Sequence, residues 1–380
     1  MRVLLLSEPG SPHTIKWARS LSENGIEICI FGLSALSAQT AAAYSNYRNI
    51  RIYYGGVESD VIKKGEGNIS KLSYLKMLPR LKEVIGKFNP DIVHAHYATS
   101  YGLLGALSGF HPFILSVWGT DVFDFPRKSL FHRGLLKYSL WKADKILSTS
   151  YVMAQETNNY TSKQVEVLPF GIDLNIFKPM NGESVFCKND TVIGTVKNLE
   201  EKYGIQHLIT AFRIVKENHP KWPLKLLIVG GGSQEGALKR LVADMRIEHD
   251  TIFTGQVKYD EVPKYQNMLS ISVTVSNSES FGVAVIEASA CEKPVVVSDV
   301  GGLPEVVEDG KTGFIVPPGK PQKIAAAIEK LMSDRELMGK MGKAGRHRVQ
   351  SLYDWNCNVN RMCEIYVQLQ KSGAPEAVSS

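Results

Sequence analysis

Two carboxylates, Glu279 and Glu287, stand with seven residues between them in the stretch ISVTVSNSESFGVAVIEASAC, running from Ile271 to Cys291. Ionised carboxylates accept hydrogen bonds from hydroxyls, so such a pair can hold a sugar or a ribose. Farther back lie two ammonium groups, Lys197 and Lys202, a chemistry suited to neutralising a diphosphate leaving group. Each residue also has a plainer reading: Glu279 complementing a helix dipole, Glu287 on a solvated helix face, and the lysines in a solvated loop.

The backbone between the glutamates explains why this position suits a ligand. Ile271, Val273 and Val275 alternate with polar residues, the period-two pattern of a strand. Beyond Gly282 the period changes, and Val283, Ile286 and Ala290 recur at helical spacing. A strand, a short loop and a helix N-terminus follow one another, and the first backbone N–H groups of such a helix can receive a phosphate. Lys197 and Lys202 belong to the loop after the strand Thr191–Val196, expected to face the same side as Glu279. The turn Gly230-Gly231-Gly232-Ser233 follows another strand and lets backbone approach a ligand closely.

The first half of the chain repeats this organisation. Val3–Leu6 reads as a buried strand, Ile15, Ala18 and Leu21 as a helix, and Ile26–Phe31 as a second strand, a Rossmann-like start without the G-x-G-x-x-G fingerprint. Gly10 and Ser11 are candidate contacts for an anion, and His13 for the same cleft. Pro90–Tyr97 is a strand ending in polar groups, so His96 and Tyr97 are expected beyond its carboxyl end, where parallel sheets bind ligands. His94 and His96 would share one strand face, but no Cys or carboxylate cluster completes a metal site. The strand Phe113–Val117 ends in Trp118-Gly119-Thr120-Asp121, with Asp121 at the cleft rim or capping the next segment.

A chain of 380 residues is long enough for two cores. The polar stretch Met180–Asp190 marks the expected boundary: one domain over 1–180, a second over 181–352, and a terminal helix over 353–372 returning to the first. The tail from Gly373 is expected to be disordered. Five cysteines without C-x-x-C spacing fit a reducing compartment and neither a disulfide framework nor a zinc site. No apolar run reaches the roughly 20 residues of a membrane span, and MRVLLLSEPG reads as a first strand. Residues 1–180 carry 20 Lys+Arg against 14 Asp+Glu, whereas the rest balances at 24 of each. Two basic amphipathic stretches, Val61–Phe88 (interrupted at Pro79) and Arg127–Lys142, admit two explanations: contact with anionic lipid, or core packing with a solvated basic side.

The stretch ESFGVAVIEA resembles the E-x7-E motif of family 4 glycosyltransferases. The likeness extends, in order, through Lys197–Gly204, Val229–Ser233, Phe253–Val257, Ser276–Ala290, Pro294–Glu305 and Thr312–Pro317, and more loosely through the first half. It implies the GT-B fold: α/β, two Rossmann-like doubly wound parallel-sheet domains facing a central cleft. It also implies retaining transfer from a nucleotide-sugar without a required metal or other cofactor. Carried over by motif, Glu279 would contact the donor sugar and Glu287 the ribose, with Lys202 on the diphosphate. Lys197 stands where the family usually has Arg, keeping the charge without the planar fork. Backbone N–H groups of Phe281, Gly282 and Val283 would meet the phosphates, Gly231 would lie close to the donor, and backbone around Val257 would meet the base. His13, His96 and Tyr97 fall on the acceptor side. Trp118 replaces the family's usual His in a Gly-x-Asp motif. Trp cannot accept a proton, a loss that a front-face retaining reaction tolerates, and its ring could stack on an apolar sugar face. Asp121 matches the motif's carboxylate near the transferred sugar.

The leading expectation is therefore a cytoplasmic glycosyltransferase, in one version peripheral on the inner membrane face, acting on a lipid-linked or growing polysaccharide. A UDP-sugar is placed slightly ahead of a GDP-sugar, although no side-chain code for the base is readable. Two alternatives stand beside it: a soluble small-molecule glycosyltransferase, and a catalytically silent nucleotide-sugar-binding partner protein. Nucleic acid is not an expected partner. A dehydrogenase lacks its glycine fingerprint.

Overall fold

The computed structural model describes residues 1–56, 74–180, 185–187 and 189–373. The chain divides into two compact units, Met1–Pro169 with the C-terminal segment from Cys357, and Phe170–Asn356. The division thus falls at 169/170 and 356/357 instead of at 180/181 and 352/353. Local packing explains the earlier crossing. The Ile172 N–H donates to the Tyr353 carbonyl, and Ile172 bridges Asp354. Phe177 is fully buried, and the Arg346 guanidinium donates to its carbonyl. Residues 181–184 and 188 of the expected linker lie outside the described residues.

The first unit is built on seven parallel strands: β1 Arg2–Leu6, β2 Glu27–Gly32, β3 Ile50–Tyr54, β4 Ile92–His96, β5 Phe113–Val117, β6 Lys145–Ser148 and β7 Val165–Val167, in the order β3-β2-β1-β4-β5-β6-β7. β4 is buried throughout and β1 from Val3 to Leu6, which is why they read as buried runs: a parallel sheet is covered on both faces. Helices α1 (Pro12–Glu23), α2 (Leu78–Phe88), α3 (Ser100–Ser108) and α4 (Leu130–Lys142) belong to this covering. Leu4, Phe31, Leu81, Val93, Leu104 and Leu136 are among the residues of its shared core. Pro79 opens α2 instead of interrupting it, because the first turn of a helix does not need the missing N–H. Residues 61–73 of the expected basic stretch lie outside the described residues.

The second unit carries six parallel strands: β8 Thr191–Val196, β9 Leu224–Val229, β10 Thr251–Phe253, β11 Ile271–Thr274, β12 Val295–Ser298 and β13 Gly313–Val316, ordered β10-β9-β8-β11-β12-β13. Helices α5 (Ile205–Asn218), α6 (Val283–Ala290) and α7 (Pro321–Ser333) are among those packed on it. Helix α8 (Trp355–Gly373) closes the described chain. From Cys357 it groups with the first unit, where Tyr366 is fully buried.

Both sheets reverse their winding between two neighbouring strands, β1 and β4 in the first, β8 and β11 in the second. Ligands of open α/β sheets bind outside the carboxyl ends of the strands at such a switch point. The loops that leave β8 and β11 there carry Lys197 and Glu279.

Candidate active site

In the second unit the two loops are laced together. The carbonyl of Lys202 receives the N–H groups of Asn277 at 2.8 Å and Ser278 at 3.2 Å. The Lys197 ammonium reaches a Glu279 carboxylate oxygen at 2.5 Å, with only 13% and 10% of the two side chains exposed. Lys197 also lies 4.3 Å from the Tyr203 ring centroid, and Lys202 lies 5.0 Å from the same ring. Tyr203 thus draws both cations to one ring. Lys202 is exposed.

Glycine backbones hold the partners of this pair in place. Gly230, at φ +135°, passes so close to the Lys197 carbonyl that a Cβ there would overlap it. Gly301, at φ +51°, does the same against the Glu279 carbonyl, while the Gly302 N–H donates to that carbonyl at 3.1 Å. The close approach expected of the Gly230 turn is therefore made by the chain itself.

Helix α6 starts at Gly282, φ +112°, with no side-chain cap. Its Glu287 is 6% exposed, so the solvated-face reading does not apply. A pocket of about 270 Å³ opens beside it, lined among others by Lys197, Asn198, Gln256, Val257, Val283 and Glu287, near the lower bound of small-ligand sites at about 300 Å³. Four residues expected at the donor site, Lys197, Val257, Val283 and Glu287, share this lining. Glu279 joins them through Lys197. Gly231 is part-exposed on the turn beside Gln256. Phe281 is buried between Phe170 and Tyr353, with ring centroids 5.9 and 5.7 Å away. Sequence reasoning missed Tyr203, Asn198 and Gln256 as lining; only the position of each in a strand-end loop could have marked it.

The first unit assembles a different cluster at its switch point. Gly10 and Ser11 lead into α1, with Ser11 at the N-cap position. The Trp118 ring lies 4.5 Å from His96 and 5.6 Å from His13. His96 does not reach out as expected: it is 2% exposed, its Nδ1 is hydrogen-bonded to Ser7 Oγ at 3.1 Å, and its ring lies against that of Trp118. His94, fully buried on the same strand face, is hydrogen-bonded through Nδ1 to Tyr366 and through Nε2 to Ser116, both at 2.8 Å. Burial drives the His94 pKa down to about 3 and that of His96 well below its ordinary value. For His13, burial and then Lys16 lower it to about 4. Tyr97 holds φ +82° and its hydroxyl is bonded to Thr120 Oγ1; a bulky residue there signals local strain.

Asp121 requires a correction. It is fully buried, and its carboxylate receives the N–H groups of Ala98 at 2.8 Å, Gly119 at 2.7 Å and Trp118 at 3.2 Å. The carboxylate holds the turn that sets Trp118 instead of capping the segment that follows it, and it is not presented to a sugar.

Among the described residues no three His, Cys, Asp or Glu side chains are grouped to hold a metal ion, and no helix is long and apolar enough to cross a membrane. A larger open groove of about 630 Å³ lies by Glu308, Lys311, His347 and Arg348. There Lys311 is paired with Glu308, and Arg348 donates to the carbonyls of Glu305 and Val306, so its polar groups are engaged in the scaffold.

Residues 180–348 match the family model for glycosyl transferases group 1, and residues 2–150 match the glycosyl transferase 4-like model. The chain is 27% identical to an uncharacterised glycosyltransferase of Methanocaldococcus jannaschii over 86% of its own length and 87% of the relative's. It is 28% identical to a GDP-mannose-dependent α-(1-6)-phosphatidylinositol monomannoside mannosyltransferase of Mycolicibacterium smegmatis, covering 75% and 78%. Among solved structures, sucrose-phosphate synthase of Thermosynechococcus elongatus superposes with a TM-score of 0.82 at 20% identity, covering 98% and 100%. Anabaena HepE in complex with UDP gives 0.78 at 17%, covering 97% and 100%.

Proposed function

This chain belongs to the family 4 glycosyltransferases and has their GT-B fold, and from that premise we propose that it moves a sugar, with retention and without a metal, from a UDP-sugar to a lipid-linked or growing glycan. The Lys197–Glu279 pair beside the Glu287-lined pocket carries the reading. A diphosphate arriving at the N-terminus of α6 meets the first N–H groups of that helix and competes with Glu279 for Lys197. Glu279, released or shared, then accepts from hydroxyls of the donor sugar, while Glu287 holds the ribose at the pocket.

In the reaction the anomeric C–O bond to phosphate breaks and the leaving diphosphate takes the electron pair. The acceptor hydroxyl oxygen forms the new bond on the same face and gives its proton to the departing phosphate oxygen. Lys197 and Lys202 stabilise the charge that develops there. This course needs no enzymic base at Trp118, which agrees with an indole in that position. The ring, packed against His13 and His96, would offer a face to the apolar side of a sugar. The relative's GDP-mannose and the neighbour's UDP make the base the first thing to measure.

The test is a thermal-shift panel of UDP-, GDP- and ADP-sugars on the protein and on Glu287→Ala. Ligand at a hundred times its dissociation constant adds roughly 2.7 kcal/mol. A shift with one base only, absent in the variant, is the expected result. A shift retained in full by Glu287→Ala would remove the ribose assignment, and no turnover of any nucleotide-sugar would remove transfer.

A further inference from the structure

Helix α4 turns an unusual face to solvent. Leu130 is 85% exposed, Phe131 53% and Trp141 64%. Leu130, Gly134, Lys137 and Trp141 are all exposed and follow one another at four, three and four residues, a single stripe along the helix. The opposite side is a normal core contact, with Leu136, Ser139 and Leu140 buried. The helix is folded against the sheet by one face and has a second apolar set left over.

Charge identifies what that second set fits. Residues 127–142 contain five Lys or Arg and no Asp or Glu. The apolar anchors lie at the two ends of the helix, about 16 Å apart, with Arg133 and Lys137 between them. The Lys142 ammonium sits 4.5 Å from the Trp141 ring centroid, a Trp–Lys arrangement suited to the headgroup layer, where an amphipathic ring and a cation are both at home. A second copy of the same face would bring cations against cations, which opposes self-association. An anionic bilayer complements both components at once, accepting aromatic and aliphatic side chains at its boundary and pairing the cations with lipid phosphates.

We propose that α4 seats this protein on an anionic lipid surface, with Leu130, Phe131 and Trp141 entering the headgroup layer and Arg133, Lys137 and Lys142 resting on lipid phosphates. This deepens the lipid-linked acceptor reading, on which its purpose rests; the docking itself is independent of donor and sugar.

Flotation of the full-length protein with vesicles of phosphatidylcholine, alone or mixed with phosphatidylglycerol, tests it. The protein is expected to float with the mixed vesicles and to stay behind with phosphatidylcholine alone. Replacing Arg133, Lys137 and Lys142 by Gln should weaken binding about a hundredfold, since each cation near such a surface is worth about tenfold or somewhat less. Replacing Leu130, Phe131 and Trp141 by Gln should abolish flotation while leaving the melting temperature and the nucleotide-sugar thermal shift unchanged. Equal flotation on neutral vesicles, or undiminished flotation of both triple variants, overturns the proposal. A vesicle-free dimer that the apolar variant turns into a monomer overturns it as well, in favour of a subunit interface. Donor turnover without vesicles reports on sugar transfer separately, so failure of docking and failure of the transfer reading are told apart.

Discussion

Lys197 and Glu279 are 82 residues apart in sequence and 2.5 Å apart in space, in a nearly buried pair. Removing one partner of a buried pair strands the other charge at a cost of about 3–5 kcal/mol, whereas replacing both with apolar groups is often close to neutral. Lys197→Met is therefore expected to lower the urea midpoint clearly, and Lys197→Met with Glu279→Leu to recover most of it. Nucleotide-sugar turnover should fail in both, whereas Lys197→Arg should keep it, because the charge survives the exchange. Stability that stays low in the double variant would mean that the pair is structural in some other way. The residue types at this site were legible in the sequence, and so was the strand-to-helix change of period around Glu279. The pairing was not, because it depends on β8 lying next to β11, a long-range adjacency that no local pattern encodes. Asp121 and His96 were misplaced for a related reason: sequence position put them at strand ends but did not say that neighbouring backbone N–H groups and Ser7 would claim their polar atoms.

At the scale of elements, the loops after β8 and β11 are held by backbone packing as much as by side chains. Gly301 and Gly310 both have positive φ, yet only Gly301 faces the Glu279 carbonyl, and nothing lies within 4 Å of a Cβ on Gly310. Alanine at Gly310 is expected to cost about 1–2 kcal/mol, the ordinary penalty of a left-handed residue. At Gly301 the carbonyl must also move, so the loss should be larger and should be accompanied by loss of the thermal shift with nucleotide-sugar. Urea unfolding and the ligand panel on the two variants check this; equal losses at both positions would remove the positioning role of Gly301. Glycine-rich turns were visible in the sequence. Whether their empty space served a ligand or the chain was decided by topology, and at Gly230 the chain itself fills it.

At the scale of the whole molecule the first unit is expected to lose stability in acid. His94 keeps a pKa of about 3 when folded against an ordinary 6.5. The unfolded chain therefore binds a proton that the folded chain refuses, and stability falls as pH drops below 6.5 toward 3. Between pH 7 and about pH 5 that amounts to about 2 kcal/mol for one such histidine. His96 shifts in the same direction, as does His13, and all three lie in the first unit. Calorimetry at the two pH values should show the transition of the first unit moving down more than that of the second, with the movement reduced in His94→Gln. A uniform shift of both transitions would contradict this assignment.

The two chain crossings at 169/170 and 356/357 also bear on synthesis. Tyr366, which closes against His94, and Arg361, whose guanidinium reaches Glu166 at 2.7 Å, leave the ribosome only after the whole of the second unit. The second unit has all of its chain before the first unit can close its core. A nascent or prematurely terminated chain that stops short of residue 357 therefore carries a complete second unit and an unfinished first one, with the buried face that Tyr366 covers left open to chaperones and proteases.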